Sequence, residues 1–292
     1  MTNNEVYTRV FGEIVEEMKK GNLPWARPWK GSGFPVNAVT KRAYSGGNVV
    51  ALWFKAMAKG WTDLGFVTFK QAQAAGCMVR KGEKGTYVYF MSRAEKKDTK
   101  GKEEKEFYFF AKSFVVFNVE QLEEVEEGAL AKLKGAEDTR TELERNAEAD
   151  CMVSATGASI CHTDDMRAYY NPKSDYINMP RVTAFTSTAG YYGTLFHELT
   201  HWTGTEKRCN RNLTGKFGNP DYAFEELVAE IGAAFLSARF GMESVTQSAA
   251  YLQSWATACE AHPEMLARAA SMAQTAADFV TGEKVAPVAA AA

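Results

Sequence analysis

Thr194-Leu195-Phe196-His197-Glu198-Leu199-Thr200-His201-Trp202-Thr203-Gly204 is the stretch on which the reading turns. On a helix, residues four apart stand one above the other, so His197 and His201 share a face. Both imidazoles can then reach one tetrahedral zinc ion at about 2.0–2.1 Å. Glu198 adjoins the first histidine. In this pattern it is the catalytic base, taking a proton from a water that the metal has acidified. Leu195, Phe196, Leu199 and Trp202 supply the apolar faces that seat such a helix, expected over residues 189–203 and stopped by Gly204.

A zinc site of this kind takes a third protein ligand and leaves one position open. The next expected helix, residues 222–240, contains Phe224-Glu225-Glu226-Leu227-Val228-Ala229-Glu230-Ile231. Glu226 and Glu230 are four apart and share a face. Glu226 is assigned as the third ligand, and Glu230 as the acceptor of a ligand histidine's free ring N–H. Glu225 points about 100° away and reads as a solvated carboxylate. Ala229, Gly232, Ala233 and Ala234 are small enough to let the two helices approach closely. An isolated H-E-x-x-H also arises by chance on ordinary helices, so the second helix carries much of the assignment. His162 and His262 lack such a context and read as ordinary residues. Residues 169–180 read as a hairpin, whose free edge could hold an extended peptide by main-chain hydrogen bonds.

Working outward, the 292 residues suffice for two domains. No apolar run is long enough for a membrane span. The N-terminus lacks a signal pattern, and the five scattered cysteines form no C-x-x-C pair, so a reducing cytoplasm is expected. The net charge of −2 hides an asymmetry. Residues 1–118 hold 20 Lys and Arg against 11 Asp and Glu, and the remainder holds 14 against 25. A basic module that attracts a polyanion is thus joined to an acidic one.

Helical spacing is expected over residues 6–19, 49–59 and 69–75, and strands over 87–91 and 107–119, which makes the first module α+β. Residues 126–150, rich in acids and poor in aromatics, read as a helical connector or a flexible linker. Short strands follow over 159–180. Two further helices are expected after the metal-ligand pair, over 245–258 and 263–280. The expected architecture is α+β in two domains: 1–125, a linker at 126–150, a mostly helical domain with a small sheet at 151–282, and a tail at 283–292.

Four of the six tryptophans, Trp25, Trp29, Trp53 and Trp61, lie in the basic module. Lys30, Lys41, Arg42, Lys70, Gln71, Arg80, Lys81 and Lys84 interleave with them or follow. Cations neutralise phosphates and aromatic faces stack on unpaired bases, a pairing that suits single-stranded nucleic acid. Trp25, Trp29 and Trp53 are the candidate stacking residues. The plain alternative is that the tryptophans are core and the lysines a solvated face.

The succession Leu23-Pro24-Trp25, Pro28-Trp29, Pro35-Val36-Asn37, Tyr44-Ser45-Gly46-Gly47-Asn48, Thr68-Phe69-Lys70-Gln71 and Val79-Arg80-Lys81-Gly82-Glu83-Lys84-Gly85 resembles the N-terminal domain of ArdC-type antirestriction proteins. The histidine motif with Tyr222-Ala223-Phe224-Glu225-Glu226-Leu227-Val228-Ala229-Glu230 resembles that family's zincin-like C-terminal domain. A related N-terminal domain occurs in plasmid conjugation primases. The resemblance implies a plasmid-encoded protein that binds single-stranded DNA and protects entering DNA from restriction during conjugation. It adds Tyr44 and Asn48 to the expected DNA-binding set. The expected cofactor is Zn2+, with Mn2+ or another divalent metal as the alternative, and the expected partners are single-stranded DNA and a host protein substrate. A rival reading makes the metal domain a non-catalytic scaffold for a DNA-coating protein. The intact Glu198 favours hydrolysis of a peptide bond, because a structural site needs no base. Metal-dependent DNA cleavage is disfavoured, since nuclease sites hold paired metals in carboxylate clusters.

Overall fold

Thr2 starts the first helix by a reciprocal cap: its hydroxyl accepts from the Glu5 N–H, and the Glu5 carboxylate accepts from the Thr2 N–H. This is seen in a computed structural model of the chain, which describes residues 1–22, 25, 33–95, 107–135, 138–214, 220–243 and 251–283. The helix, α1 (Asn3–Lys19), buries Val6, Val10, Phe11, Ile14, Val15 and Met18 along one face. There follow β1 (Val36–Asn37), α2 (Gly47–Lys59), β2 (Gly65–Val67), α3 (Phe69–Ala74), β3 (Cys77–Val79), β4 (Thr86–Glu95) and β5 (Phe107–Asn118). The first sheet has the order β1-β2-β5-β4, with β1 parallel to β2 and the other pairs antiparallel. The expected helices and long strands of this module are therefore present, with boundaries shifted by a few residues.

Residues 126–150, read as a helical connector or a flexible linker, follow the helical reading. Just before them β6 (Leu122–Glu124) pairs antiparallel with β3. Then α4 (Ala129–Leu133) buries Ala129 and Leu133 beside Val67, Ala72, Cys77 and Val119 in a small second core. Thr141 caps α5 (Glu142–Ala155), and the buried Asp138 is held by Arg140 and Arg145. A few apolar residues spaced to point inward suffice to dock such a segment, while its many acids stay in water.

The second module adds β7 (Ser159–Thr163), β8 (Tyr169–Asn171), β9 (Tyr176–Pro180), α6 (Thr188–Trp202), α7 (Pro220–Arg239), α8 (Leu252–Ala261) and α9 (Met265–Thr281). Its sheet runs β7-β9-β8, with β8 and β9 forming the expected hairpin and β7 added parallel to β9. The two modules share one apolar core. Helix α1 packs on α8, and α2 packs on α9. Trp53 lies edge-on to Phe235 at 5.5 Å, Trp25 meets Trp255 at 6.0 Å, and the Gly46 N–H donates to Gln274. No helix among the described residues is long and apolar enough to cross a membrane.

Candidate metal centre

Ser187 starts α6 by accepting from the Gly190 N–H. Thr203 ends the helix, its hydroxyl donating to the Thr200 carbonyl. Helix α7 packs against α6 through Gly232, which lies directly over Thr200. That close approach brings Glu226 to the two histidines. The Nε2 atoms of His197 and His201 are 3.2 Å apart. Glu226 Oε2 is 3.5 Å from the first, and Glu226 Oε1 is 3.6 Å from the second. Ligand atoms around a tetrahedral ion with bonds of about 2.0–2.1 Å are separated by about 3.3 Å. The two ring nitrogens and the Glu226 carboxylate thus lie at spacings close to those around such an ion, and these residues are the cluster among the described residues that could hold a metal. Glu230 Oε1 stands 3.7 Å from His197 Nδ1, beyond hydrogen-bond distance, and that ring nitrogen has no hydrogen-bond partner.

Glu225 is not the solvated carboxylate expected. It is 6% exposed, and its Oε1 lies 3.1 Å from His201 Nδ1. Arg211 clamps it from behind, with Nη2 at 2.8 Å from Oε1 and Nε at 3.0 Å from Oε2. Arg211 also donates to Thr203 Oγ1 and the Thr200 carbonyl, so it ties the loop after α6 to both helices. The 100° separation from Glu226 is real, but the loop returns over that side and covers it. Burial opposes a charge on His201, yet Glu225 and Glu226 outweigh it and push the metal-free imidazolium pKa up to about 10. Burial likewise acts to raise Glu226, but hydrogen bonds with His197 and His201 hold it well below the usual carboxylate range.

Tyr222 is a residue that sequence reasoning missed. It lies one turn before Glu226, and its phenol is pushed well above its ordinary range by burial and by its hydrogen bond to the Glu226 carboxylate. A tyrosine at i−4 from the assigned ligand Glu226 was the available signal. The histidines, Glu198 and Glu226 line a cleft of about 550 Å³ together with Tyr169, Tyr170, Tyr222 and Tyr251. Tyr169 and Tyr170 belong to β8, an outer strand of its sheet. Arg208, in the basic loop after α6, stacks on Trp202 at 4.0 Å and donates to Asp175 and Tyr170, pinning the β8–β9 hairpin to the end of α6.

The expected DNA-binding residues divide sharply. Trp25, Tyr44 and Trp53 are 0%, 2% and 0% exposed, so none offers a ring face to a base; they are core. Asn48 is also buried, and its side-chain amide accepts from the Tyr89 N–H and donates to the Tyr89 carbonyl, closing part of the free edge of β4. Gln71 is spent on the reciprocal cap of α3, and Arg80 on the carbonyls of Leu122 and Glu120 and on Glu83. Lys41, Arg42, Lys70, Lys81 and Lys84 are exposed. Trp29 and Lys30 lie outside the described residues. In this module the exposed aromatic rings among the described residues are Phe69 and Tyr87, the latter with Arg9 over its face.

Two family models match the chain. Residues 4–117 match the N-terminal domain of anti-restriction factor ArdC, and residues 147–272 match a zincin-like metallopeptidase. The metal-free crystal structure of the antirestriction protein ArdC from plasmid R388 superposes with a TM-score of 0.77 at 38% identity, covering 94% of this chain and 96% of that one. Its Mn(II)-bound structure gives the same TM-score at 37% identity. The DNA primase TraC of Escherichia coli is 36% identical over 94% of this chain but 27% of its own length, so the chain spans about a quarter of that primase. Protein y4eC of Sinorhizobium fredii (strain NBRC 101917 / NGR234) is 30% identical over 97% of this chain and 94% of its own.

Proposed function

The chain belongs to the ArdC antirestriction family, and from that membership we propose that it is a metal-dependent hydrolase of peptidase type joined to a single-stranded DNA-binding module. In this reading it acts in the cytoplasm and protects incoming DNA during conjugation.

One observation carries the catalytic half: two imidazole nitrogens 3.2 Å apart with the Glu226 carboxylate oxygens 3.5 and 3.6 Å from them, and Glu198 beside them in an open cleft. His197, His201 and Glu226 would hold the ion, zinc or, as in the R388 relative, manganese. A divalent metal there supplies Lewis acidity, polarising a carbonyl and acidifying a water. Glu198 accepts the proton released on attack and returns it to the leaving amine. Glu225, fixed by Arg211, accepts the His201 Nδ1–H and so turns the Nε2 lone pair toward the ion. The outer edge of β8 takes an extended peptide. For the DNA half, the support is the basic excess of residues 1–118 and the exposure of Lys41, Arg42, Lys70, Lys81 and Lys84.

The test is a comparison of new N-termini in host lysate treated with metal-loaded wild-type protein and with Glu198→Ala. Cleavages made by the wild type alone support the reading. Their absence, with metal content intact, leaves the metal domain as a scaffold.

A further inference from the structure

Below the metal-ligand face, the walls of the cleft are built by Met166, Ala168, Pro172, Pro180, Phe185 and Leu213. Apart from the carboxylates and the two metal-site histidines, the polar lining among the described residues is uncharged at neutral pH: the tyrosine hydroxyls, Thr194 and Asn212. No lysine or arginine is among the described residues that line it. Its carboxylates are all accounted for. Glu225 is matched by Arg211, and Glu226 and Glu198 are matched by the two positive charges of a bound ion. A loaded cleft is therefore close to neutral, with an apolar and aromatic wall.

Such a wall discriminates by desolvation. A charged substrate side chain seated there loses its water and gains no counter-charge from the described wall residues. A large apolar one loses only unfavourable hydration and gains contact with rings and prolines. A phosphodiester would likewise meet no cation among the described wall residues. The peptide would lie along the β8 edge as a further strand, its own alternate side chains turned toward this wall. Resting on the peptidase-type reading of the site, we infer that the cleft selects an extended peptide with a bulky apolar or aromatic side chain beside the scissile bond, and discriminates against acidic and basic side chains there.

Hydroxamates separate this inference from the reading beneath it, because each grips the metal through the same group and differs in its side chain. Metal-loaded full-length protein is titrated with acetohydroxamate and with the hydroxamates of acetyl-phenylalanine, acetyl-leucine, acetyl-aspartate and acetyl-lysine, and dissociation constants are measured calorimetrically. The phenylalanine and leucine compounds bind at least tenfold tighter than the aspartate and lysine compounds. In Phe185→Ala, whose ring is half-buried on the wall, that preference shrinks severalfold while metal content and acetohydroxamate affinity stay at wild-type values. Equal affinity for all four side chains, with acetohydroxamate bound, overturns the apolar selection and leaves the metal site standing. Failure of acetohydroxamate itself to bind overturns the peptidase-type reading and this inference with it.

Discussion

Gly232→Ala adds a single methyl group at the contact that sets the metal geometry. A Cβ built there lies 2.6 Å from both Cγ2 and Oγ1 of Thr200 and 3.1 Å from its Cβ. Carbon atoms in contact prefer about 3.5–4.0 Å, so roughly 1 Å must be found. Thr200 cannot easily yield it: the residue is 0% exposed, and its hydroxyl donates to the Phe196 carbonyl at 2.8 Å. The helices must part instead, and Glu226 moves with α7 while His197 and His201 stay with α6. Metal sites tolerate deviations of only about 0.2 Å in ligand distance. The expected loss is about 1–3 kcal/mol of stability, or roughly 2–4 °C in Tm for each kcal/mol in a chain of this size. Metal affinity should fall about 10–100-fold, the range found when groups supporting a ligand are disturbed. Adding Thr200→Ala removes both atoms at 2.6 Å and should restore most of each loss. Thermal unfolding and competitive zinc titration of the two single variants and the double variant measure this. A Gly232→Ala protein with wild-type Tm and affinity, or a double variant worse than either single one, refutes the argument.

Further outcomes are expected. His201→Ala loses the metal, and Glu226→Gln lowers affinity far more than Glu230→Gln; full metal content in His201→Ala by elemental analysis would remove this assignment. Because the metal-free His201 imidazolium persists up to about pH 10, the ion must displace that proton. Affinity then rises with pH through the neutral range and about one proton is released, measurable by calorimetry in buffers of different ionisation enthalpy; no release contradicts it. The same raised pKa makes the imidazolium's contribution to metal-free stability complete below about pH 6.5, and it is lost as pH rises through about 10. Arg211→Ala strands the buried Glu225 and should destabilise the fold by about 3–5 kcal/mol in denaturant unfolding, whereas a stability unchanged from wild type would mean the pair is solvated. Finally, Lys70→Ala, Lys81→Ala and Lys84→Ala combined should weaken single-stranded DNA binding and lower the log–log salt slope by about 0.7 for each phosphate no longer neutralised; an unchanged slope moves the DNA surface elsewhere.

The local pattern of the sequence was sufficient for whatever depends on periodicity within one element. The four-residue spacing puts His197 and His201 on one face whatever the rest of the chain does. Gly60 in the left-handed conformation closes α2 where the glycine predicts. The same logic reached Glu226, because a carboxylate one helix later needs only close packing, and the small residues of α7 announce that packing. What local pattern could not decide was which residues the return of the chain would cover. Glu225 looked solvated because nothing near it in sequence says that Arg211 folds back over it. Arg208 and Arg211 sit in a locally basic run after α6, yet their side chains, 10% and 4% exposed, are tied to the hairpin and to α7. Trp25 and Trp53, read as stacking platforms, fill a core whose other half is supplied by α7 and α8 some two hundred residues away. Composition left 126–150 open between a helical connector and a flexible linker, and the docking of Ala129 and Leu133 decides for the helix. Burial and charge pairing are properties of surfaces brought together from distant parts of the chain. They exist only once the two modules have closed on a common core.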